Sequence, residues 1–560
     1  MKLHGILAGA LVTSSALLTA GSLSKDLVSR TGTDEVQVLI RFHKAPSADN
    51  HQRLGKKGGK HKFDLGDANT SVYSAAASAL AEIASDADVD YVTPDRDVKS
   101  LLDYTSPAVG ADIALKYGWT GDGVGIAVID SGVGLHADLG VPGTLSSRVV
   151  YRENFVAGES STYDPFGHGT HVTGIAAGNG TLSLAGFRSF RGVATKASII
   201  SLRVLDKNGL GKDSAVISAI NRAIDLKKTY NIRVINLSLG RPIFESYKQD
   251  PICQAAEKAV KAGIVVVAAA GNSGRDNSAG NEGYATIHAP GNDPLVITVG
   301  AMKTMGTLSR SDDLIASYSA KGPTRIDHVA KPDLVAPGNK VISLISLTGF
   351  LSNGYPANIV SNSYFSTASG DSYSYYRMNG TSMATPVVSG AVALMLEKNP
   401  DLTPDQVKAR LMKTATKSFP RTSVAVDPLT GKQYVSRYDI FTVGAGYLDI
   451  WAALNNSDIA KLSAASPLVR YDATTKTVSL VRDSKTVWGS TAVWGDTVVW
   501  GDTVVWGDTV VWGDGAVWGD SVTQGFTAVW GDTVVWGDTA VWGDASKVTP
   551  ESLNVLIYGE

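Results

Sequence analysis

Four polar residues have the types and positions that acyl transfer requires. They are Asp130, His168, Asn272 and Ser382, and each stands where an apolar stretch meets a glycine-containing turn or a helix. A serine attacks a carbonyl carbon when a histidine removes its proton and a carboxylate holds the imidazole. We therefore interpret Ser382 as the nucleophile, His168 as its base and Asp130 as the partner of that base. Asn272 and the Ser382 N–H would donate to the developing oxyanion.

Ser382 lies at the start of a predicted helix. A glycine and a threonine precede it, and the apolar run from Pro386 to Leu396 that follows is typical of a buried helix. Unpaired N–H groups and the helix dipole favour negative charge at such a terminus, which suits a nucleophile whose attack creates an oxyanion. The alternative is a serine that only caps the helix.

Each of the other three residues also has a purely structural interpretation. Asp130 and Asn272 could belong to ordinary turns, because both residue types hydrogen-bond the neighbouring backbone. His168 and His171 are three residues apart and invite a zinc site, but no glutamate or third ligand is placed to complete one. We expect His171 to be structural. The combination of acid, base, amide donor and nucleophile is what favours catalysis.

Short, nearly all-apolar runs alternate with helix-like segments after Gly123, and they predict the fold class. The runs are 124–129, 197–204, 232–237, 263–268 and 295–299, and the helix-like segments include 214–225 and 254–261. Strands of this kind form a parallel sheet that helices cover on both faces. Active groups gather at the carboxyl ends of such strands. Asp130 and Asn272 fall at these ends.

The segments around the four residues resemble the subtilisin-like serine peptidases. The matching blocks are AVIDSG at Asp130, HGTHVTG at His168, AAAGNSG at Asn272 and NGTSMATP at Ser382, and the order Asp, His, Ser is that of subtilisin. The resemblance covers roughly residues 105–453. It implies a three-layer α/β/α fold with a mainly parallel sheet. It also implies endoproteolysis of polypeptides, with no cofactor required for the chemistry.

Two further segments resemble the strands with which the family binds substrate. Ser238, Leu239 and Gly240 look like the backbone edge that pairs with substrate and walls the first pocket, and Gly209, Leu210 and Gly211 look like the opposite edge. An extended peptide can add itself between two such edges, so that the backbone supplies affinity and the pockets supply selectivity.

Many members of the family hold a structural calcium ion near the chain start and in a loop after the catalytic histidine. Asp138 could match one ligand here, but the loop from Gly178 to Ser183 contains no acidic residue. A structural calcium ion at the usual family site is therefore doubtful, and we assign no metal ligand.

The first residues have the pattern of an export signal. Lys2 and His4 precede an apolar run over 6–18, and small residues follow at 20–22. The run is too short to cross a bilayer, so we expect a signal peptide over 1–22 and a secreted, extracellular protein without a membrane span. The net charge of −2 gives no reason to expect nucleic acid as a partner.

A small module precedes the family-like region. A strand-like run over 35–42, helical spacing over 73–83 and a second strand-like run over 89–92 predict a compact α+β unit. It resembles the propeptides of the family, which act as folding templates and inhibitors. The resemblance implies a propeptide over 23–103, an intramolecular inhibitor of the catalytic domain over 104–455, with self-cleavage between about 99 and 107. The alternative is a permanent N-terminal domain.

A period of six residues dominates the end of the chain. We expect a linker over 456–486, repeats of Thr-Val/Ala-Val-Trp-Gly-Asp over 487–545 and a tail over 546–560. Equivalent side chains keep one face in an extended chain because six is even, so the repeats predict β-rich structure with a tryptophan ladder. A buried ladder, an exposed surface that binds sugars or other apolar ligands, and a calcium-binding acidic row all stay open. The ligand of the repeats is unassigned.

Two functions from different classes are consistent with the sequence. The first is a secreted serine endopeptidase made as a self-processing zymogen. The second is a catalytically silent surface or binding protein whose function lies in the repeats. The complete set Asp130, His168, Asn272 and Ser382 favours the first, because a silent relative usually lacks one member.

Overall fold

The computed structural model describes residues 21–28, 32–66, 69–95, 104–278, 280–472, 477–481, 483–487 and 550–560. The chain divides into two compact units, Met1–Lys99 and Ser100–Glu560, which are taken one at a time below. Three predicted features lie wholly or partly outside the described residues: the signal peptide up to residue 20, the cleavage range from 99 to 103, and the repeats from 488 to 545. No helix among the residues that the structure does describe is long and apolar enough to cross a membrane.

The first unit is a five-stranded sheet with three short helices. Its elements are β1 (Ser22–Leu23), α1 (Lys25–Val28), β2 (Glu35–Phe42), α2 (Ala48–Lys56), β3 (Lys60–Asp64), β4 (Thr70–Ala76), α3 (Leu80–Ala84) and β5 (Val89–Pro94). The strand order is β1-β5-β2-β4-β3, and β2 pairs antiparallel with both β4 and β5. The first unit therefore has the α+β architecture that the sequence predicts.

The segment 73–83 differs from the predicted helix. Tyr73 belongs to β4, and helix α3 begins only at Leu80. Strand β4 lies between β2 and β3, so its backbone groups bond on both sides. Pairing within the sheet therefore outweighs the helical spacing of the apolar side chains.

The second unit contains the remaining elements. Its strands are β6 (Gly125–Asp130), β7 (Val149–Asn154), β8 (Ser198–Arg203), β9 (Ile232–Leu237), β10 (Val265–Ala269), β11 (Ile297–Lys303), β12 (Leu314–Ile315), β13 (Leu334–Pro337), β14 (Val341–Leu344), β15 (Ile359–Ser361), β16 (Asp371–Met378), β17 (Thr422–Val426), β18 (Gln433–Arg437), β19 (Leu468–Asp472) and β20 (Thr477–Val481). Its helices are α4 (Thr105–Ala108), α5 (Ala111–Lys116), α6 (His168–Ala177), α7 (Asp213–Tyr230), α8 (Pro251–Lys261), α9 (Phe350–Gly354), α10 (Thr381–Lys398), α11 (Pro404–Thr414), α12 (Ile440–Val443), α13 (Ile450–Asn455) and α14 (Pro550–Tyr558).

An eight-stranded sheet forms the centre of the second unit. Seven strands follow the order β12-β11-β10-β9-β6-β8-β7, and β13 pairs with β11 as well. All pairs are parallel except β11 with β12. Five of these strands, β6, β8, β9, β10 and β11, coincide with the apolar runs that predicted them.

Helices cover both faces of this sheet. Ile126 and Val128 of β6 belong to the hydrophobic core that includes α6 and α10, whereas Ala127 and Ile129 belong to the core that includes α7 and α8. Alternate residues of a strand point to opposite faces, so one strand contributes to both cores. The predicted three-layer α/β/α fold with a mainly parallel sheet is confirmed.

The segment 456–486 differs from the expected linker. Its described residues pack on the second unit: Val469 is buried, and its N–H donates to the carbonyl of His328. The Ser466 hydroxyl donates to Asp333 at 2.5 Å and accepts from Lys408 at 2.7 Å. Ser466, a polar residue of the expected linker, therefore serves as a partner for buried charges.

Candidate active site

The four candidate catalytic residues lie around the carboxyl edge of the central sheet. Asp130 ends β6, His168 begins α6, and Ser382 is the second residue of α10. Asn272 follows the end of β10 by three residues. His168, Asn272 and Ser382 line one cavity of about 400 Å³, and Asp130 is buried behind the histidine.

Asp130 fixes the orientation of His168. The Nδ1–H of His168 donates to the two carboxylate oxygens of Asp130 at 2.8 and 3.0 Å. This contact leaves Nε2 as the free nitrogen of the ring. Burial lowers the pKa of His168, but the charge and hydrogen bond of Asp130 outweigh it, so that the net pKa lies above its ordinary value.

Asp164 holds the loop in front of His168, and no sequence motif marked it as a site residue. Its carboxylate accepts from Gly167 N at 2.7 Å, Thr170 N at 2.8 Å and Ser131 Oγ at 2.8 Å. Ser131 in turn accepts from Gly169 N at 2.9 Å. The only local signal is an acidic residue just before a helix, where carboxylates favour the free N–H groups. Burial raises the pKa of Asp164.

Ser382 shares the cavity with His168, but its hydroxyl bonds elsewhere. The hydroxyl donates to the carbonyl oxygen of Ser238 at 3.0 Å, while the Ser238 hydroxyl donates to the carbonyl oxygen of Ser382 at 2.8 Å. Among the described residues no hydrogen bond joins Ser382 to His168, so the Ser382 hydroxyl must leave the Ser238 carbonyl before it bonds the imidazole. Catalytic hydrogen bonds are often loose in the absence of substrate.

Asn272 presents its amide nitrogen as a donor. Its Oδ1 accepts from the backbone N–H and the hydroxyl of Thr381 at 2.9 and 3.0 Å, which fixes the side-chain orientation. The approach is close enough to require glycine at position 380. A Cβ there would lie 3.1 Å from Asn272 Nδ2, and the φ of Gly380 is +136°.

Both expected substrate edges line the same cavity as Ser382. The residues concerned are Gly209, Leu210, Gly211, Ser238, Leu239 and Gly240. The structure thus brings together two segments that the resemblance implied, and their roles stay predictions.

His288 is a cavity residue that sequence reasoning missed. Its ring lies against Gly271, where an added Cβ would come within 2.8 Å of the ring, and an added Cβ at Gly240 would meet its Cβ at 3.1 Å. Burial lowers the pKa of His288 to about 4, so the ring is neutral at physiological pH. It follows an apolar isoleucine in an irregular segment, and no motif marks it.

The second histidine of the HGTH block is buried. The Nε2 of His171 donates to the carbonyl of Tyr376 at 3.0 Å, and burial lowers its pKa to about 3. The ring does not line the cavity. Its contacts are those of a structural residue.

The Asp138 carboxylate is engaged by protein donors. Its Oδ1 accepts from Leu182 N at 2.8 Å and its Oδ2 from the hydroxyl of Tyr375 at 2.7 Å. Calcium takes six to eight oxygen ligands, and this donor set does not fit one. In the first unit, the side chains of His51, His61 and Asp64 are the one group among the described residues that comes within reach of a single ion.

Comparison with known proteins shows which family the chain is similar to. Residues 121–465 match the model of the subtilase family. The chain is 35% identical to serine protease AprX of Bacillus subtilis over 395 residues, which cover 68% of this chain and 83% of that protein. It is also 35% identical to subtilisin E of Bacillus subtilis over 405 residues, covering 70% and 89%. A solved structure of a cold adapted subtilisin-like serine proteinase has 29% identity and a TM-score of 0.38, over 53% of this chain and 84% of that one.

We predict that replacing Asp130 by Asn lowers the pKa of His168 below its ordinary value. Burial of the imidazole remains in the variant, whereas the compensating charge is gone. Titration of the imidazole by NMR, in a Ser382→Ala background, measures the change. Because the folded pKa exceeds the unfolded one, protonated His168 stabilises the wild-type fold at low pH, and this contribution is lost as the pH rises through the folded pKa.

Asp64→Asn is the control for this titration. Asp64 contacts His51 in the first unit and raises the pKa of that histidine, so its loss should lower the pKa of His51 and leave that of His168 unchanged. An unaltered His168 pKa in Asp130→Asn contradicts the assigned pairing.

Proposed function

The chain belongs to the subtilase family and is a serine endopeptidase, and we propose that it acts as a secreted, self-processing enzyme through Ser382, His168 and Asp130. The observation that carries the proposal is the Asp130–His168 hydrogen bond, because it leaves the second ring nitrogen free on a cavity that Ser382 shares. The substrates are polypeptides.

Substrate would lie extended between the two backbone edges, 209–211 and 238–240, as an added strand. The Ser382 hydroxyl then turns from the Ser238 carbonyl to Nε2 of His168. His168 takes the proton while Ser382 Oγ bonds to the carbonyl carbon of the scissile peptide. Asn272 Nδ2 and the Ser382 N–H donate to the resulting oxyanion.

The imidazolium formed in this step is stabilised by the carboxylate of Asp130. It gives its proton to the leaving amine as the carbon–nitrogen bond breaks, which leaves an ester on Ser382. A water molecule then attacks the ester, with His168 again as the base, and Ser382 regains its proton. The elevated pKa of His168 agrees with a group that holds a proton transiently.

The first unit is proposed to be a propeptide that inhibits the second unit until it is removed. The support is that residues 1–99 form a unit with a separate hydrophobic core, so cleavage after it would leave the catalytic fold whole. A signal peptide over 1–22 and export to the medium complete the proposal. The function of the repeats stays open.

Replacing Ser382 by Ala should abolish peptide hydrolysis and leave the precursor uncut. The reason is that the same nucleophile would perform both reactions. Intact mass and N-terminal sequencing of both purified proteins measure the outcome. We expect the wild type to lose the residues up to the unit boundary near Lys99, and the variant to retain them.

Ser311→Ala is the matched control, because Ser311 is an exposed serine of the same unit. It should be processed like the wild type. Peptide hydrolysis that persists in Ser382→Ala contradicts the nucleophile assignment. Hydrolysis that is lost without any change in processing contradicts only the zymogen proposal.

Replacing Asn272 by Leu should lower kcat by about 100- to 1000-fold with little change in KM, the range known for removal of the oxyanion asparagine in subtilisin itself. The oxyanion exists only after attack, so its donor contributes little to substrate binding. Steady-state kinetics on a peptide substrate measure both constants. Asn272→Asp keeps the acceptor for Thr381 but loses the donor, and it should be impaired as well. A kcat within threefold of the wild type in both variants rules out the oxyanion role.

We propose that no metal ion takes part in the chemistry. Ser382, His168 and Asn272 supply nucleophile, base and oxyanion donor, and the Asp138 oxygens accept from Leu182 and Tyr375. Excess EDTA should therefore leave the initial rate of peptide hydrolysis unchanged. EDTA saturated with calcium beforehand is the control. A rate that EDTA removes and calcium restores contradicts the proposal.

A further inference from the structure

The segment 550–560 is built into the core of the second unit. It comprises helix α14 and the two residues that follow it. Val555, Leu556 and Ile557 are buried in the same hydrophobic core as α6 and α10. Burial of these three adjacent apolar side chains contributes much of the free energy that holds the segment against the second unit.

Asparagine side chains and the backbone recognise the carbonyl groups of the segment. The Leu556 carbonyl accepts from both Asn379 N at 3.0 Å and Asn379 Nδ2 at 3.2 Å. The Ile557 carbonyl accepts from Asn358 Nδ2 at 2.8 Å. These carbonyls belong to the last turn of α14, where helical partners are missing. The second unit therefore supplies the donors that this helix end lacks.

A cationic socket holds the carboxylate of Glu560. Its Oε1 accepts from Ser317 N at 2.6 Å and Arg275 Nη2 at 3.1 Å, and its Oε2 pairs with Lys303 Nζ at 2.5 Å. The Glu560 side chain is only 4% exposed. A buried carboxylate is stable when charged donors surround it, and a neutral or basic side chain would leave Lys303 uncompensated, whereas Arg275 also pairs with Asp427 at 2.6 Å. The socket therefore selects an acidic residue.

The position before Glu560 must be glycine. Gly559 has a φ of +57°, and an added Cβ would lie 2.2 Å from Asn379 Oδ1 and 2.7 Å from Asn339 Oδ1. Asn339 also brackets Glu560, since its Oδ1 accepts from Glu560 N at 3.2 Å and its Nδ2 donates to the Glu560 carbonyl at 3.3 Å. Gly-Glu is thus the dipeptide that this surface fits.

The docked segment is one wall of the active-site cavity. Leu553 and Leu556 line that cavity together with Ser382. The donor Asn379 is three residues before Ser382, and the socket residue Arg275 is three residues after Asn272. The attachment points of the segment therefore stand on the same short loops as the candidate nucleophile and oxyanion donor.

We propose that the 550–560 segment is a tethered ligand of the catalytic unit: Glu560 docks it in the Arg275–Lys303 socket, its leucines narrow the substrate cavity, and its release opens that cavity to long polypeptides. The docking of the segment does not depend on the proposed enzymatic function. Its effect on substrates rests on the proposed function.

Hydrogen exchange of the full chain tests the docking. The measurement uses a Ser382→Ala background, which prevents self-digestion, and compares peptides that cover 553–560 and 376–383. Glu560→Lys places a third cation in the socket, so we expect exchange in both peptides to accelerate at least about tenfold. Asn554→Ala, on the exposed side of α14, is the matched control and should exchange like the parent. Unchanged exchange in Glu560→Lys overturns the docking.

A double-mutant cycle covers the case in which Glu560→Lys fails to fold. Lys303→Met and Glu560→Gln each remove one partner of the same ion pair. If the pair docks the segment, each variant accelerates exchange and the double variant exceeds the faster single variant by less than about twofold. Additive effects of the two changes overturn the role of the pair.

Kinetics of the active full chain test the effect on substrate. We expect Glu560→Gln to raise kcat/KM for unfolded casein at least about threefold, with a smaller change for a tetrapeptide anilide, since only a long chain needs the extra space. Asn554→Ala should match the wild type on both. Faster exchange without a change in kcat/KM overturns the narrowing of the cavity. A wild type that hydrolyses neither substrate contradicts the proposed function and leaves the exchange result standing.

Discussion

A buried carboxylate is stable only where the chain supplies its donors and counter-charge, and the active site depends on this requirement at Asp130. Its two oxygens accept from His168, and one of them accepts from the Ser131 N–H at 2.7 Å as well. The strand β6 delivers the acid and the helix α6 delivers the base, so the sheet and one helix must pack in a fixed register. Asp164 secures that register because it bonds both Ser131 and the first turn of α6.

The same requirement explains how distant parts of the second unit are joined. Asp333 is fully buried, and Lys331 and Lys408 pair with it at 2.7 and 3.1 Å. Ser466 adds a hydrogen bond to it, which attaches the segment after α13 to the sheet. Glu560 attaches α14 to the sheet in the same way, through its ion pair with Lys303 at the end of β11. Removing one partner of such a group leaves an uncompensated charge, so these contacts fix which segments pack together.

Much of the central sheet could be predicted because its strands are buried on both faces. β6 and β9 to β11 are nearly continuous apolar runs, and that pattern has few other interpretations. β7 escaped prediction because it lies at the sheet edge and carries Arg152 and Glu153. The strand that replaces the predicted helix at Tyr73 was missed for another reason: it pairs with β2, which lies far from it in the sequence. Periodicity reports burial, and it reports little about which partner buries a residue.

The candidate site likewise contains residues that local sequence patterns indicate and residues that only long-range packing places there. Asp130, His168, Asn272 and Ser382 stand at strand and helix ends in recognisable local patterns, and the structure brings them to one edge of the sheet. His288 carries no such pattern, because its place beside Gly240 and Gly271 follows from the packing of three segments. Leu553 is more remote still, since it lines the cavity although it follows the repeats in the sequence. Chemistry in this chain is therefore encoded locally, whereas the shape of the cavity is encoded by contacts between segments that the sequence keeps far apart.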